Sequence, residues 1–319
     1  MRRLGRSRLT EPARNAAALW GLEDAPIKLV ARRENVVYRV DAPDGPRALR
    51  FHRKGYRSTA ELRSELDWMA MLEAYGMSVP RPVRSLAGHF IEEIEDQQID
   101  LLTWESGEPL GRAGELIGVE DRAAFCRLLG AQMARLHDLS DAWEVPEGFS
   151  RPVWDSAGLL GDMPLWGRFW EHPDLSGVDR TLLFKVRNAA DAALGAREAG
   201  ADYGLIHADL IAENMLWDGA RLTFIDFDDG GFGFREFELA TFLLRYRSEP
   251  DYDALRSALC EGYGARRDVD AEMLDLMILL RALTYVGWIT DRLDEEGAEA
   301  RSARAIRTAL EVARDWMEE

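Results

Sequence analysis

Three short runs near the amino terminus carry the β-branched and aromatic side chains typical of strands. Residues 27–30, 36–40 and 47–51 are separated by turn-forming residues, the last two by Pro43-Asp44-Gly45-Pro46. They read as three antiparallel strands. From 58 to 75, Leu62, Leu66, Met69 and Leu72 recur at helical intervals, Ser58 stands three residues before Glu61 as in a capping box, and Gly76 ends the run. This predicts a helix. Residues 79–83 (VPRPV) read as an extended connector, and 89–94 and 99–104 as two further strands. Beyond Glu105-Ser106-Gly107-Glu108-Pro109 the period becomes helical, with apolar residues three and four apart over 122–139, 254–263, 272–290 and 303–317. One strand pair interrupts it, 214–217 and 222–225, with Asp218-Gly219 read as the hairpin turn. The pattern as a whole is α+β: a sheet with one helix, then a mainly helical remainder.

A chain of 319 residues can bury a sizeable core as one large domain or two joined lobes. Its 40 Lys and Arg against 57 Asp and Glu give a net charge of −17, a field that repels nucleic acid and anionic lipid surfaces. Only Lys28, Lys54 and Lys185 are lysines. Cys126 and Cys260 form neither a disulfide framework nor a metal-type spacing. The basic start MRRLGRSRLT is followed by no signal-length apolar run, and the longest apolar stretch, 274–290, is short for a bilayer and broken by Asp275 and Arg281. The expectation is a cytoplasmic protein that engages neither membrane nor nucleic acid.

The chemistry concentrates in residues 205–229, LIHADLIAENMLWDGARLTFIDFDD. His207-x-Asp209-x4-Asn214 sets a carboxylate and an amide oxygen on one loop, and the hairpin after it returns Asp226 toward that loop. Phosphoryl transfer requires a carboxylate to orient or accept the proton of the attacking hydroxyl, and oxygen ligands for Mg²⁺. Asp209 fits the first role, Asn214 and Asp226 the second. Asp and Asn also cap turns, and His207 reads more simply as a residue bonding nearby backbone than as a base. On the nucleotide side, strand alternation puts Ala48 and Arg50 on one face, with Glu65 of the following helix as ion-pair partner. Arg50 then stands where a kinase strand carries lysine, although an ordinary surface arginine is the alternative.

HADLIAENML followed by FIDFDDGGFGFREFELA resembles the aminoglycoside phosphotransferase and choline kinase superfamily, small-molecule kinases with a protein-kinase-like fold. The resemblance extends through ENVVYRV, ALRFHRKGYRS, ELRSELDWMAML, GMSVPRPV and LGAQMARLHDL. It implies a bilobal molecule, with a nucleotide-binding N-lobe over 1–103 and a C-lobe over 104–319, and with Mg-ATP between them. Arg50 and Glu65 would position phosphates and Ala48 would leave room for adenine. The 32–35 loop, including Asn35, would meet the phosphates, and the hinge near Leu102 and Trp104 the adenine edge. The implied reaction is phosphorylation of a hydroxyl on a small, amine-containing metabolite. Trp154, Trp166 and Trp170 fall where this superfamily inserts substrate-binding elements, and each reads as pocket wall or as core. Asp228, Asp229, Glu236 and Glu238 would form a negative wall, with Glu238 alternatively starting a helix. A bacterial stress-response protein kinase and a nucleotide-binding pseudokinase are the competing readings.

Overall fold

The computed structural model describes residues 4–32, 35–112 and 114–318, and its packing resolves into two units. Among the described residues, those up to 110 pack together with 143–151 and 214–228; those within 111–142, 152–213 and 229–318 form the second unit. Set against the expected division at residue 103, the segments 104–110, 143–151 and 214–228 thus pack with the amino-terminal part of the chain.

The first unit is built on an antiparallel sheet of β1 (Ile27–Arg32), β2 (Val36–Ala42), β3 (Gly45–Phe51), β4 (Ile91–Ile94) and β5 (Gln97–Thr103), in the order β1-β2-β3-β5-β4. Pleating divides its side chains between two faces. On one, Tyr38, Val40, Leu49, Ile99 and Leu101 pack against Ala13, Ala16 and Ala17 of α1 (Leu4–Ala17) and against Trp20. The chain pattern does not announce α1, because the described part of its buried stripe is alanine and contrasts little with its flanks. On the other face Arg50 meets α2 (Thr59–Ala74), which begins with the expected capping box: Ser58 Oγ accepts from the Glu61 N–H, and Glu61 accepts from the Ser58 N–H. The expected hairpin is present as strands Met215–Trp217 and Leu222–Phe224. Its turn is not two residues but four, 218–221, closed by Asp218 Oδ1 accepting from the N–H groups of Ala220 and Arg221. The hairpin docks through Ser78 Oγ to Thr223 Oγ1 at 2.6 Å and through Trp68 edge-on to Phe227.

The second unit is mainly helical. It comprises α3 (Arg122–Asp141), α4 (Ser156–Leu160), α5 (Gly177–Arg197), α6 (Arg235–Leu243), α7 (Tyr252–Gly264), α8 (Ala271–Thr290) and α9 (Ala298–Glu318). Helices α3 and α7 approach so closely that a Cβ on Gly262 would lie 1.9 Å from the Arg127 carbonyl. Helix α8 is long and apolar enough to cross a membrane, yet most of its apolar window is buried within the protein. A small sheet completes the unit: Tyr203–Ile206 runs antiparallel to Gly231–Phe234, which lies parallel to Val153–Trp154. The glycine before Phe232 is required by packing, since a Cβ on Gly231 would sit 2.2 Å from the Pro152 carbonyl.

Candidate active site

In the first unit Arg50 is buried, and three of the five N–H donors of its guanidinium are engaged. Nε and Nη2 form a bidentate pair with Asp100 at 2.8 and 2.7 Å, while Nη1 reaches Glu65 at 3.0 Å. The Glu65 pairing is the expected one. Asp100 is the residue the sequence reading missed; it lies directly across from Arg50 in the β3–β5 register, a pairing visible only once the strands are aligned. His52 Nε2 also contacts Asp100 at 2.8 Å, and Arg151 Nη1 lies 3.5 Å from Glu65. Burial pushes both carboxyls up, but the arginines, with His52 at Asp100, outweigh it and hold both below the ordinary range. Arg50 remains charged, its pKa lowered by burial but raised further by the two carboxylates.

The remaining nucleotide-side residues are placed as follows. Ala48 is half-buried and pairs across to Leu102, which is buried. The N–H groups of Thr103 and Trp104 are already bonded to the Arg81 and Pro46 carbonyls, so at these two residues the hinge has no N–H left for an adenine edge. The Arg39 guanidinium stacks over the Trp104 ring. Asn35 Oδ1 accepts from the Arg53 N–H at 3.3 Å, tying the β1–β2 loop to the end of β3. Arg33 and Glu34 of that loop lie outside the described residues.

Hairpin register brings Asn214 and Asp226 to one end of the same element. Met215 pairs with Phe224, and the Ile225 N–H bonds the Asn214 carbonyl at 3.0 Å, so Asn214 stands opposite the residue preceding Asp226. Asp226 is exposed and holds a left-handed φ of 66°, rare for a side-chain-bearing residue and concentrated at functional sites. An amide oxygen and a carboxylate form a hard donor set suited to Mg²⁺. Among the described residues no group of three or more His, Cys, Asp or Glu could hold a metal. These two donors would thus contribute part of a shell completed by phosphate and water, the usual arrangement for Mg²⁺.

Asp209 belongs to the second unit. The strand Tyr203–Ile206 ends just before it, and because Ile206 pairs with Gly231, Asp229 enters the neighbouring strand at the same end. Ala208 has a left-handed φ of 65°, and the strained turn is held from α6: the buried Glu238 carboxylate accepts the backbone N–H groups of His207 and Ala208. His207 is buried, and its Nδ1 accepts from the Asp209 N–H at 3.4 Å, a bond to nearby backbone as anticipated. Asp209 keeps 22% of its side chain exposed, with Oδ1 taken by Arg281 Nη2 at 2.5 Å. Arg281 is fully buried in α8, its guanidinium 4.5 Å from the ring centroids of both Trp166 and Tyr285. Arg281 and Arg245 both donate to the Tyr285 hydroxyl, at 3.1 and 3.0 Å. Loss of water pushes the Asp209 carboxyl up to about 6, with Arg281 opposing, Asp229 adding and Arg245 opposing.

The sequence model of the phosphotransferase enzyme family matches residues 27–308. The chain belongs to this family. It is 26% identical over 223 residues to the amicoumacin kinase of Bacillus subtilis, covering 68% of this chain and 62% of that enzyme. It is 27% identical to the homoserine kinase of Acidiphilium cryptum, covering 82% of this chain and 77% of that one. The solved structure of a microcompartment-associated aminopropanol kinase superposes with a TM-score of 0.83 at 27% identity, covering 96% of this chain and 97% of that one. The bilobal kinase-like α+β fold and the kinase class anticipated from the sequence are thereby established.

Within this phosphotransferase the residues expected to line an acceptor pocket divide. Trp154 is core: it is 1% exposed, stacks on Phe237 and donates Nε1 to the Asp229 carbonyl. Trp170 is core as well, buried against Phe169 and beneath Arg187. Both thus take the core reading that the sequence left open for them. Trp166 differs, being half-buried beside Arg281, Tyr285 and Trp288. Asp228 is also corrected. It is buried, its carbonyl accepts from Arg151 and Arg57, and its carboxylate lies 3.9 Å from Arg57. Glu236 and Glu238 are interior residues of α6 rather than a negative wall. Asp229 acts on Asp209 through its charge.

Proposed function

We propose that this phosphotransferase moves the γ-phosphoryl group of Mg-ATP to a hydroxyl of a small, amine-bearing acceptor. The observation that carries the reading is Asp209: a carboxylate on a braced, left-handed turn, with one oxygen held by Arg281 and the side chain still partly exposed. The partly exposed carboxylate is then placed to orient the acceptor hydroxyl and take its proton. Asn214 and Asp226 would hold the metal, and Arg50, with Glu65 and Asp100, would set the nucleotide-side charge. When bound, Mg²⁺ supplies neutralisation of the charge on the phosphate oxygens. The half-buried Trp166 packs edge-on to Trp154, whose Nε1 donates to the Asp229 carbonyl, so that Trp166 and Asp229 supply an aromatic ring and a carboxylate suited to an ammonium group. Likeness to an aminopropanol kinase supports an amino alcohol over a protein substrate.

The test is ADP release with Mg-ATP across amino alcohols, hydroxy amino acids, aminoglycosides and a generic protein substrate such as casein. We expect turnover with at least one amine-bearing small alcohol. Phosphorylation of casein alone would favour a protein kinase. A melting temperature raised by Mg-ATP, with no ADP released on any acceptor, would favour a nucleotide-binding pseudokinase, since a ligand at a hundred times its Kd stabilises by about 2.7 kcal/mol without turnover.

A further inference from the structure

Arg151 enters neither the sequence motifs nor the roles assigned above, yet it ties together the nucleotide-side charges and the segment that bears Asp226. Its side chain is fully buried. Nη2 donates to two successive carbonyls, Phe227 and Asp228, both at 2.7 Å. Nη1 donates to the Glu61 carbonyl of α2 at 3.0 Å and lies 3.5 Å from Glu65, whose other oxygen bonds Arg50. One guanidinium therefore fixes the two residues after Asp226 to the same turn of α2 that holds Arg50. Two further contacts run in parallel: Trp68 of α2 sits edge-on to Phe227 at 5.2 Å, and Arg57 Nη2 donates to the Asp228 carbonyl at 3.0 Å.

Asp226 has special need of such support. Its φ of 66° is a conformation that side-chain-bearing residues adopt at a cost of order 1–3 kcal/mol and keep only where neighbours over-determine it. Arg151 constrains the adjoining backbone at the next two residues.

We propose that Arg151 is a positioning residue that fixes backbone 226–228, and with it the orientation of Asp226 toward the metal, and that couples this geometry to the α2–Arg50 charge cluster. The proposal rests on the assignment of Asn214 and Asp226 as metal ligands. Groups that orient a ligand from behind typically change metal affinity by 10- to 100-fold.

The test uses the full chain with ADP and Mg²⁺ as probes. In Arg151→Met, metal-free hydrogen exchange of the peptide covering 226–230 should rise at least about tenfold. ADP affinity in the presence of Mg²⁺ should fall about tenfold or more, well beyond any fall in ADP affinity without metal, while the acceptor KM stays as in the wild type. Arg151→Lys should recover part of the loss, and Arg57→Gln should reproduce a weaker form of it. A folded Arg151→Met with wild-type exchange and wild-type Mg²⁺ dependence would overturn the role, as would equal losses with and without metal. Should that variant fail to fold, unchanged exchange and Mg²⁺ dependence in Arg57→Gln overturn it instead. Asp226→Asn separates the two levels: Mg²⁺ dependence surviving there defeats the metal assignment and the proposal with it, whereas dependence lost there but kept in Arg151→Met defeats Arg151 alone.

Discussion

At the scale of single residues the proposed base is Asp209, whose carboxyl is raised by burial to about 6 while Arg281 pulls in the opposite direction. A base works only when ionised, so turnover should fall on the acid side with a midpoint near pH 6. Arg281→Gln removes a charge that favours the ionised form, so that midpoint should move to higher pH. Asp209→Asn, isosteric but unable to accept a proton, should lower kcat by roughly 10²–10⁴ with Mg-ATP affinity nearly unchanged. A pH–rate series on the three proteins checks both statements. An acid limb that stays in place when Arg281 is neutralised would remove that arginine from the account. Asp209 was singled out in the sequence by its spacing to His207 and Asn214. Arg281 was not: in the sequence it is an interruption of an apolar run, and its partner lies 72 positions away.

At the scale of elements, the features with a local cause could be read from the sequence. Ser58 and Glu61 cap α2 within one turn, and the strands of the 215–224 hairpin follow from adjacent residues. Features that depend on which strands become neighbours could not. Asp100 is set beside Arg50 by the β3–β5 register, and Arg151 reaches Glu65 over 86 positions. This cluster gives a stability prediction. Removing the guanidinium in Arg50→Met leaves two buried carboxylates short of their counter-charge, and breaking such a pair costs about 3–5 kcal/mol. Because Asp100 and Glu65 are depressed in the folded protein, the stability they contribute is present above their unfolded values of about 4 and lost as pH falls through the folded ones. The stability gap between wild type and Arg50→Met, measured by urea unfolding, should therefore be full from neutrality down to about pH 4 and narrow below it. A gap independent of pH would mean that packing rather than charge accounts for the loss.

At the scale of the whole molecule the charge of −17 acts on substrates before any local contact does. Arg50, a cation proposed for the nucleotide side, is buried and matched by two carboxylates, so it cannot draw an anionic nucleotide from a distance. Mg-ATP must approach against the general field, whereas an ammonium-bearing acceptor approaches along it. Salt separates these cases, because the Debye length shrinks from about 30 Å at 0.01 M to about 8 Å at 0.15 M and the long-range part of both effects disappears together. Over that range kcat/KM for Mg-ATP should rise and kcat/KM for the acceptor should fall, with kcat itself little changed. The opposite sign for the acceptor would indicate an anionic group on it, drawn by Arg245, which is exposed in the second unit and held by Tyr285. Since neither trend depends on which acceptor hydroxyl is phosphorylated, a single salt series on any active substrate decides whether the acidic surface selects for positive charge.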